Sequence, residues 1–328
     1  MTIRRRTALG AALGAAGGIM AAPRIATAQA FPDQPIRMIV PFAAGGPADL
    51  IARTVSRAMS EKLGRPIVVE ARAGAGGLIG VDVASKSRPD GHTLVMASSG
   101  AIVIIPHMRS NMPYDPLRDL TPITQVLAVP QIISVPPSLG VRTLAELVAM
   151  AKARPGQLAF GSAGVGSSLH MAGELLKLRA GIDITHIPYG GAAPAVTDLL
   201  AGRIQILAAD VPALIGQVRA GAVPALAVTA QQRLDILPDV PTAIEAGVPN
   251  MVSETWYGIF GPANIPQDRV DILVNAARAS LEDAEVRRVL SGQGGRIVGS
   301  TPADFTSFIR GTNATWADVV RATGARLE

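Results

Sequence analysis

His170 and Glu174 stand four residues apart, the spacing that puts two side chains on one face of a helix and would let them share a metal ion. No second ligand pair accompanies them. Cysteine is absent, and His92, His107 and His186 are scattered over other stretches, so a capping or core role is expected for His170 and no metal site is predicted. Serines are plentiful, yet there is no Gly-x-Ser-x-Gly elbow and no histidine or acid spaced to serve one of them as a base, which argues against nucleophilic catalysis. Gly74-x-Gly76-x-x-x-Gly80 imitates a dinucleotide fingerprint, but the acid such a site needs after the next strand is missing from Met96–Gly100. No cofactor is expected.

The chemistry that remains is anion binding by backbone. Pro41-Phe42-Ala43-Ala44-Gly45-Gly46-Pro47-Ala48-Asp49-Leu50 follows an apolar run, Ile36–Val40, and opens the amphipathic segment Leu50–Leu63. A helix start leaves N–H groups unpaired and carries partial positive charge, so a glycine loop at that point makes a place for an anion. Ser162-Ala163-Gly164-Val165-Gly166-Ser167-Ser168 has the same architecture before the helix His170–Arg179. Ser162, Ser167 and Ser168 are hydroxyl donors to an anion or helix caps, and the two roles can coincide. Asp49, in a first helical turn, complements the dipole and is expected to brace its loop. Asp210 either caps the helix after it or faces the cleft and receives a cationic group such as an amine.

These loops need a scaffold that presents them on one edge. Strands at Ile36–Val40, Pro66–Glu70 and Thr93–Ala97 alternate with helices at Leu50–Leu63 and Leu78–Ser85, the order of a parallel wound sheet. Ligands of such sheets bind at the carboxyl edge, where Ser98-Ser99-Gly100 is a further loop, with Ser99 its candidate contact. The extended apolar stretch Ile123–Val135, broken by Pro130 and followed by Pro136-Pro137, reads as a strand leaving one domain for another, and Trp256–Gly261 as its return. Between them lies a second series: helix Thr143–Ala153 capped by Thr143, strand Gln157–Gly161, strand Ile184–Tyr189, a helix entered at Pro194, strand Ile204–Ala209, a helix to Arg219 and strand Ala225–Thr229. After the return come helices Gln267–Leu281 and Ala284–Leu290, a strand Gly295–Val298 and a helix Thr301–Thr323. That last helix carries Phe305, Phe308, Ile309, Trp316, Val319 and Val320 on one stripe, expected to pack across the first domain.

At 328 residues and 48% hydrophobic content, two cores can be filled. The net charge of +5 is misleading as a sign of a nucleic-acid or membrane partner. Arg4, Arg5, Arg6 and Arg24 sit in an acid-free first thirty residues, and without them the 30 basic residues fall to 26 against 25 acidic. Aromatics at 3% also give no stacking surface for bases. The charged head, the weakly apolar run Ala8–Ala22 and Ala26-Thr27-Ala28-Gln29-Ala30 have the layout of an export signal cleaved after Ala28 or Ala30, and Arg5-Arg6 favours the twin-arginine route. No later stretch has the roughly 18 apolar residues of a membrane span, so a periplasmic location is expected.

Pro41-Phe42-Ala43-Ala44-Gly45-Gly46-x-x-Asp49, Ala73-Gly74-Ala75-Gly76-Gly77-x-Ile79-Gly80, Pro89-Asp90-Gly91-x-Thr93-Leu94, Tyr114-Asp115-Pro116, Gly161-Ser162-Ala163-Gly164-x-Gly166-Ser167-x-x-His170-x-Ala172-Gly173-Glu174, Pro188-Tyr189-x-Gly191 and Leu237-Pro238-Asp239-Val240-Pro241-Thr242 run in order over nearly the whole mature chain. Together they resemble the Bug, or TctC-like, solute receptors of tripartite tricarboxylate transporters. The resemblance implies an α/β, two-lobed periplasmic binding protein of the type II kind, with two crossover segments and a ligand cleft between lobes. Residues 1–30 would be the export signal, 31–128 and 256–328 lobe 1, and 129–255 lobe 2. It further implies a monomeric, non-catalytic receptor that captures a small carboxylate (a di- or tricarboxylate, an amino acid or an aromatic acid) for membrane permease subunits. Carried over by residue, it points to Phe42, Ala44, Gly45, Pro47 and Ala48 on one lobe and Ser162, Ser167, Ser168 and Tyr189 on the other. Gly166, Ser99 and Asp210 complete the candidate set. The chain departs from many relatives at Gly190, which removes a polar side chain, so ligand identity does not transfer. The rival reading is an exported α/β enzyme acting on a phosphorylated or acyl substrate, which would need a positioned base, nucleophile or metal.

Overall fold

Ile36–Val40 is apolar at four of five positions, and those four are buried, so it forms a strand covered on both faces, β1. The computed structural model describes residues 31–292 and 294–327; the export signal expected at 1–30 lies outside them. After β1 come α1 (Pro47–Leu63), β2 (Ile67–Ala71), α2 (Leu78–Ser85), β3 (Thr93–Ser98), α3 (Ile105–Met108) and the long β4 (Leu120–Ser134). The chain continues through α4 (Leu144–Ala153), β5 (Ala159–Ser162), α5 (Ser168–Ala180), β6 (Thr185–Pro188), α6 (Ala192–Leu200), β7 (Ile206–Asp210), α7 (Val211–Arg219) and β8 (Ala225–Val228). It closes with β9 (Glu254–Pro262), α8 (Gln267–Leu281), α9 (Ala284–Gly292), β10 (Arg296–Ile297) and α10 (Pro302–Thr323).

The strands lie in the order β2-β1-β3-β9-β4-β7-β5-β6, with β8 and β10 also paired to β4. Two parallel groups, β2-β1-β3 and β7-β5-β6, are joined by antiparallel β9 and β4. The sheet is therefore mixed, not the parallel sheet that the strand–helix order predicts. The reason lies in the two long strands that carry the chain between halves and back: an outgoing and a returning strand run in opposite directions. β4 pairs with β9 from Leu120 to Pro130, then with β7 and β8 from Gln131 to Ser134, so one strand belongs to both halves. Each half has its own core. One gathers Phe260, Phe305 and Trp256, the last edge-on to Phe305 at 5.5 Å between ring centres; the other gathers Phe160, Leu144, Leu147, Leu175 and Ile206.

Local signals act as their chemistry requires. The Thr143 and Thr301 hydroxyls accept from the N–H groups of Glu146 and Asp304, each at 3.1 Å, and so cap α4 and α10. α10 packs on the first half, as its stripe predicts, and also touches α5 of the second. One stretch differs from expectation. Ser98-Ser99-Gly100 does not open into a loop but passes directly into a wide helical turn over Gly100–Ile104 and then α3. Ala101–Ile105 is an unbroken apolar run, buried throughout, in which no periodicity separates helix from strand. Among the described residues no helix is long and apolar enough to cross a membrane.

Candidate functional site

The two glycine loops line one cavity, and the halves touch beside it. Ala43 N–H donates to the Gly190 carbonyl at 3.1 Å, and Gly76 and Gly100 of the first half press on the backbone of Val165–Ser167 in the second. A β-carbon added at Gly76 would lie 2.3 Å from the Val165 oxygen, and one at Gly100 would lie 2.8 Å from the Gly166 oxygen. Between the loops is a small cavity of about 20 Å³, room for roughly one water molecule as the loops now stand. Three helix starts converge on it: α1 through Pro47 and Ala48, α5 through Ser167, Ser168 and Leu169, and α6 through Ala192. Helix starts carry partial positive charge, and they supply the cationic field here, since no lysine or arginine lines the wall.

The opposite wall carries Ser98, Tyr257 and Asp210. Ser98 and Tyr257 are register partners across β3 and β9, and the buried Ser98 hydroxyl has no hydrogen-bond partner. Asp210 is fully buried. It stands at the start of α7, but its side chain caps nothing there. Its carboxyl accepts instead from the Thr255 hydroxyl at 2.5 Å and, on the other oxygen, from the Tyr257 hydroxyl. The Gln131 amide, 3.4 Å away, is better satisfied turned over. Its nitrogen then donates to the Thr229 hydroxyl and the Ser253 carbonyl, and its oxygen accepts from the Thr255 N–H. Thr255 also bonds the Ser168 hydroxyl at 2.7 Å, tying the start of α5 to the strand that links the halves. Burial pushes the Asp210 carboxyl up to about 6 even against these donors, and burial beside Asp210 lifts the Tyr257 phenol.

Of the candidate residues, the structure brings Phe42, Pro47, Ala48, Ser167, Ser168 and Asp210 to the cavity wall. Ala44 and Gly45 are exposed on the outer side of the first loop, where the Gly45 N–H donates to Asp49 at 3.1 Å. The Asp49 carboxylate also holds Arg53 at 3.0 Å. Burial raises this carboxyl's pKa, but the Arg53 and Gly45 bonds outweigh that and leave it below the usual range. Ser99 is buried behind the wall. Tyr189 turns its hydroxyl outward to Asp198 at 2.8 Å. Ser162 and Gly166 lie inside their own loop, one bonded to His186 and the other to His170. The Ser162–His186 contact, 2.6 Å, has nucleophile–base dimensions, but Ser162 is fully buried away from the cavity and its hydroxyl accepts from Gly164 N–H. Among the described residues no three His, Cys, Asp or Glu side chains come together as a metal site.

Sequence reasoning missed Gly46, Ser98, Ala163, Leu169, Ala192 and Tyr257. Ala192 was discoverable, because Gly190-Gly191 before an apolar helix is a third loop of the same kind. Tyr257 sits on the return strand, where alternation turns Thr255 and Tyr257 to Asp210 and Trp256 to the first core.

Comparison with known proteins agrees with this geometry. The family described as the tripartite tricarboxylate transporter family receptor matches residues 51–325. Protein BugT of Bordetella pertussis is 38% identical over 303 residues, 92% of this chain and 93% of its own. MatC from Rhodopseudomonas palustris, solved with bound malate, superposes with a TM-score of 0.85 at 29% identity, over 88% of this chain and all of its own. An R. palustris protein solved with adipate superposes at 0.87 and 32% identity, over 90% of this chain and all of its own. A two-lobed α/β receptor fold, a cleft of helix starts and this similarity along almost the full length place the chain in the tripartite tricarboxylate transporter receptor family.

Proposed function

We propose that this receptor takes a small carboxylate into the cavity between its glycine loops and passes it to permease subunits in the membrane, without chemical change. The observation that carries the reading is the convergence of three helix starts on one small cavity with no basic side chain. Fixed N–H donors hold an anion with little reorganisation, which favours affinity. The bound malate and adipate of the two related structures support a ligand of this class. Phe42, Pro47, Ala48, Ser167 and Ser168 contact the carboxylate, Ser98 adds a free hydroxyl, and Asp49 braces the first loop. Asp210 and Tyr257 meet the other end of the ligand, which must donate a hydrogen bond there, as an ammonium or hydroxyl does, or bring its own proton.

Residues 31–128 and 256–328 form one lobe and 129–255 the other, and the cavity opens and shuts by rotation about the crossing strands. The molecule acts as a monomer in the periplasm, delivered by a twin-arginine-like signal cleaved after Ala28 or Ala30. Thermal unfolding of the mature protein with a panel of mono-, di- and tricarboxylates tests the reading. A ligand at a hundred times its Kd stabilises the native state by about 2.7 kcal/mol. A panel with no shift, together with turnover of an acyl or phosphoryl compound, would replace the receptor with the enzyme reading.

A further inference from the structure

Behind the second glycine loop, two histidines far apart in sequence lie ring on ring. His170, from the first turn of α5, stacks on His186 of β6 with 4.0 Å between ring centres and 30° between planes, and Phe160 of β5 stacks on His186 at 4.9 Å. Each ring holds one end of the loop. The Gly166 N–H donates to His170 Nδ1 at 3.2 Å, and His186 Nε2 is 2.6 Å from the Ser162 hydroxyl, which also accepts from the Gly164 N–H. A nitrogen that accepts from an N–H carries no proton, so His170 is neutral with its hydrogen on Nε2. Protonating Nδ1 would set donor against donor at Gly166 and place a cation against a second ring.

We propose that His170 and His186 are positioning residues: their neutral stack holds Ser162–Ser168 in its ligand-ready shape, and a proton on His170 Nδ1, or a charge on His186 buried within the stack, releases the loop. The role deepens the binding reading above, since the loop's function as a ligand cradle rests on that reading, whereas the clasp itself does not.

The surroundings favour neutrality. His170 faces His186 from β6 and Glu174 and Lys177 from its own helix; His186 faces His170 and Lys177. Glu174 is 3.9 Å from His170 Nε2, beyond hydrogen-bond reach, and is engaged by Lys177 at 3.3 Å. Burial, then the His186 and Lys177 charges, bring His170 down to about 3; burial, then Lys177, brings His186 to about 4. A histidine with a lowered pKa in the packed state leaves that state fully favoured above about 6.5, the solvated value, and disfavours it as pH falls below. From pH 7.5 to 5, each ring that the released loop hydrates shifts the balance toward release by about 30-fold.

Amide hydrogen exchange on the ligand-free mature protein, expressed as protection relative to the intrinsic rate, reads this directly. Protection of Gly164 and Gly166 is expected to fall at least 30-fold between pH 7.5 and 5, while the α1 amides stay constant. His170→Asn retains an acceptor near Nδ1 and His186→Gln one near Nε2, and neither takes a proton; the paired variant should show a flat profile with protection near the wild-type value at pH 7.5. If the pair does not fold, His186→Gln alone should halve the logarithmic slope. Constant wild-type protection down to pH 5, or an equal fall in the variants, would overturn the proposal. Calorimetry with malate as probe at pH 7.5 and 5.5 adds a separate arm. Absence of malate binding at both pH values would count against the ligand reading and leave the exchange result standing.

Discussion

Gly76→Ala should wedge the two halves apart without unfolding either. Gly76 has φ +63 and sits at the point where the first half touches the second loop. A methyl group there would lie 2.3 Å from the Val165 carbonyl oxygen, 3.0 Å from the Ser167 nitrogen and 3.2 Å from the Gly166 carbonyl carbon, all backbone atoms that cannot rotate away. The left-handed backbone costs an alanine roughly 1–2 kcal/mol in any state that keeps it. Relieving the overlap by displacing packed backbone costs roughly 1–3 kcal/mol more, and this second part vanishes when the cleft opens. The methyl therefore opposes closure by about 1–3 kcal/mol, which weakens ligand binding by about 5- to 150-fold at 1.4 kcal/mol per decade. Calorimetry with the best acid from the thermal panel measures the loss, and small-angle scattering of the ligand-free protein should show a larger radius of gyration. Affinity within threefold of wild type together with unchanged scattering would refute the claim that these glycines set the closed contact.

Gly166→Val meets the same test from the other side: its β-carbon would lie 2.4 Å from Ile105 Cγ1, in the first half, so binding should be lost while the circular dichroism spectrum is retained. Asp49→Ala removes the acceptor for Gly45 N–H and the partner of Arg53, and is expected to lower stability by about 1–3 kcal/mol in denaturant titrations, with weaker ligand binding. Asp210→Asn tests the buried carboxyl. A pKa of about 6 against the model-peptide value 3.8 means that the folded state holds the extra proton between those pH values, so wild-type stability relative to the variant should fall by about 2 kcal/mol as pH rises from 4 to 6. A difference that stays level across that range would show the carboxyl to be ionised throughout.

The sequence by itself determined the elements and the kind of chemistry. Glycine loops before helices, hydroxyl caps at Thr143, Ser167 and Thr301, and apolar runs such as Ile36–Val40 are local signals, decided by backbone freedom and hydrogen bonds within a few residues. The absence of cysteine and the near balance of charge beyond residue 30 needed no fold to interpret. Tertiary structure decided which members of each loop face the cavity. Ala44 and Gly45 read like Pro47 and Ala48, yet the turn carries the first pair outward and the second to the cavity. Asp210 read equally as a helix cap or a cleft-facing group; the fold chose the second and gave its carboxyl to Thr255 and Tyr257, 45 and 47 residues away. His170 and Glu174 suggested a pair at four-residue spacing, but His170's closer partner is His186 on another element. The direction of β4 and β9 was equally hidden, because strand polarity follows from where the chain must go and not from any residue along the strand. Contacts between residues distant in sequence carry no local signature, so side-chain direction and partner choice emerge only when the sheet and helices are assembled.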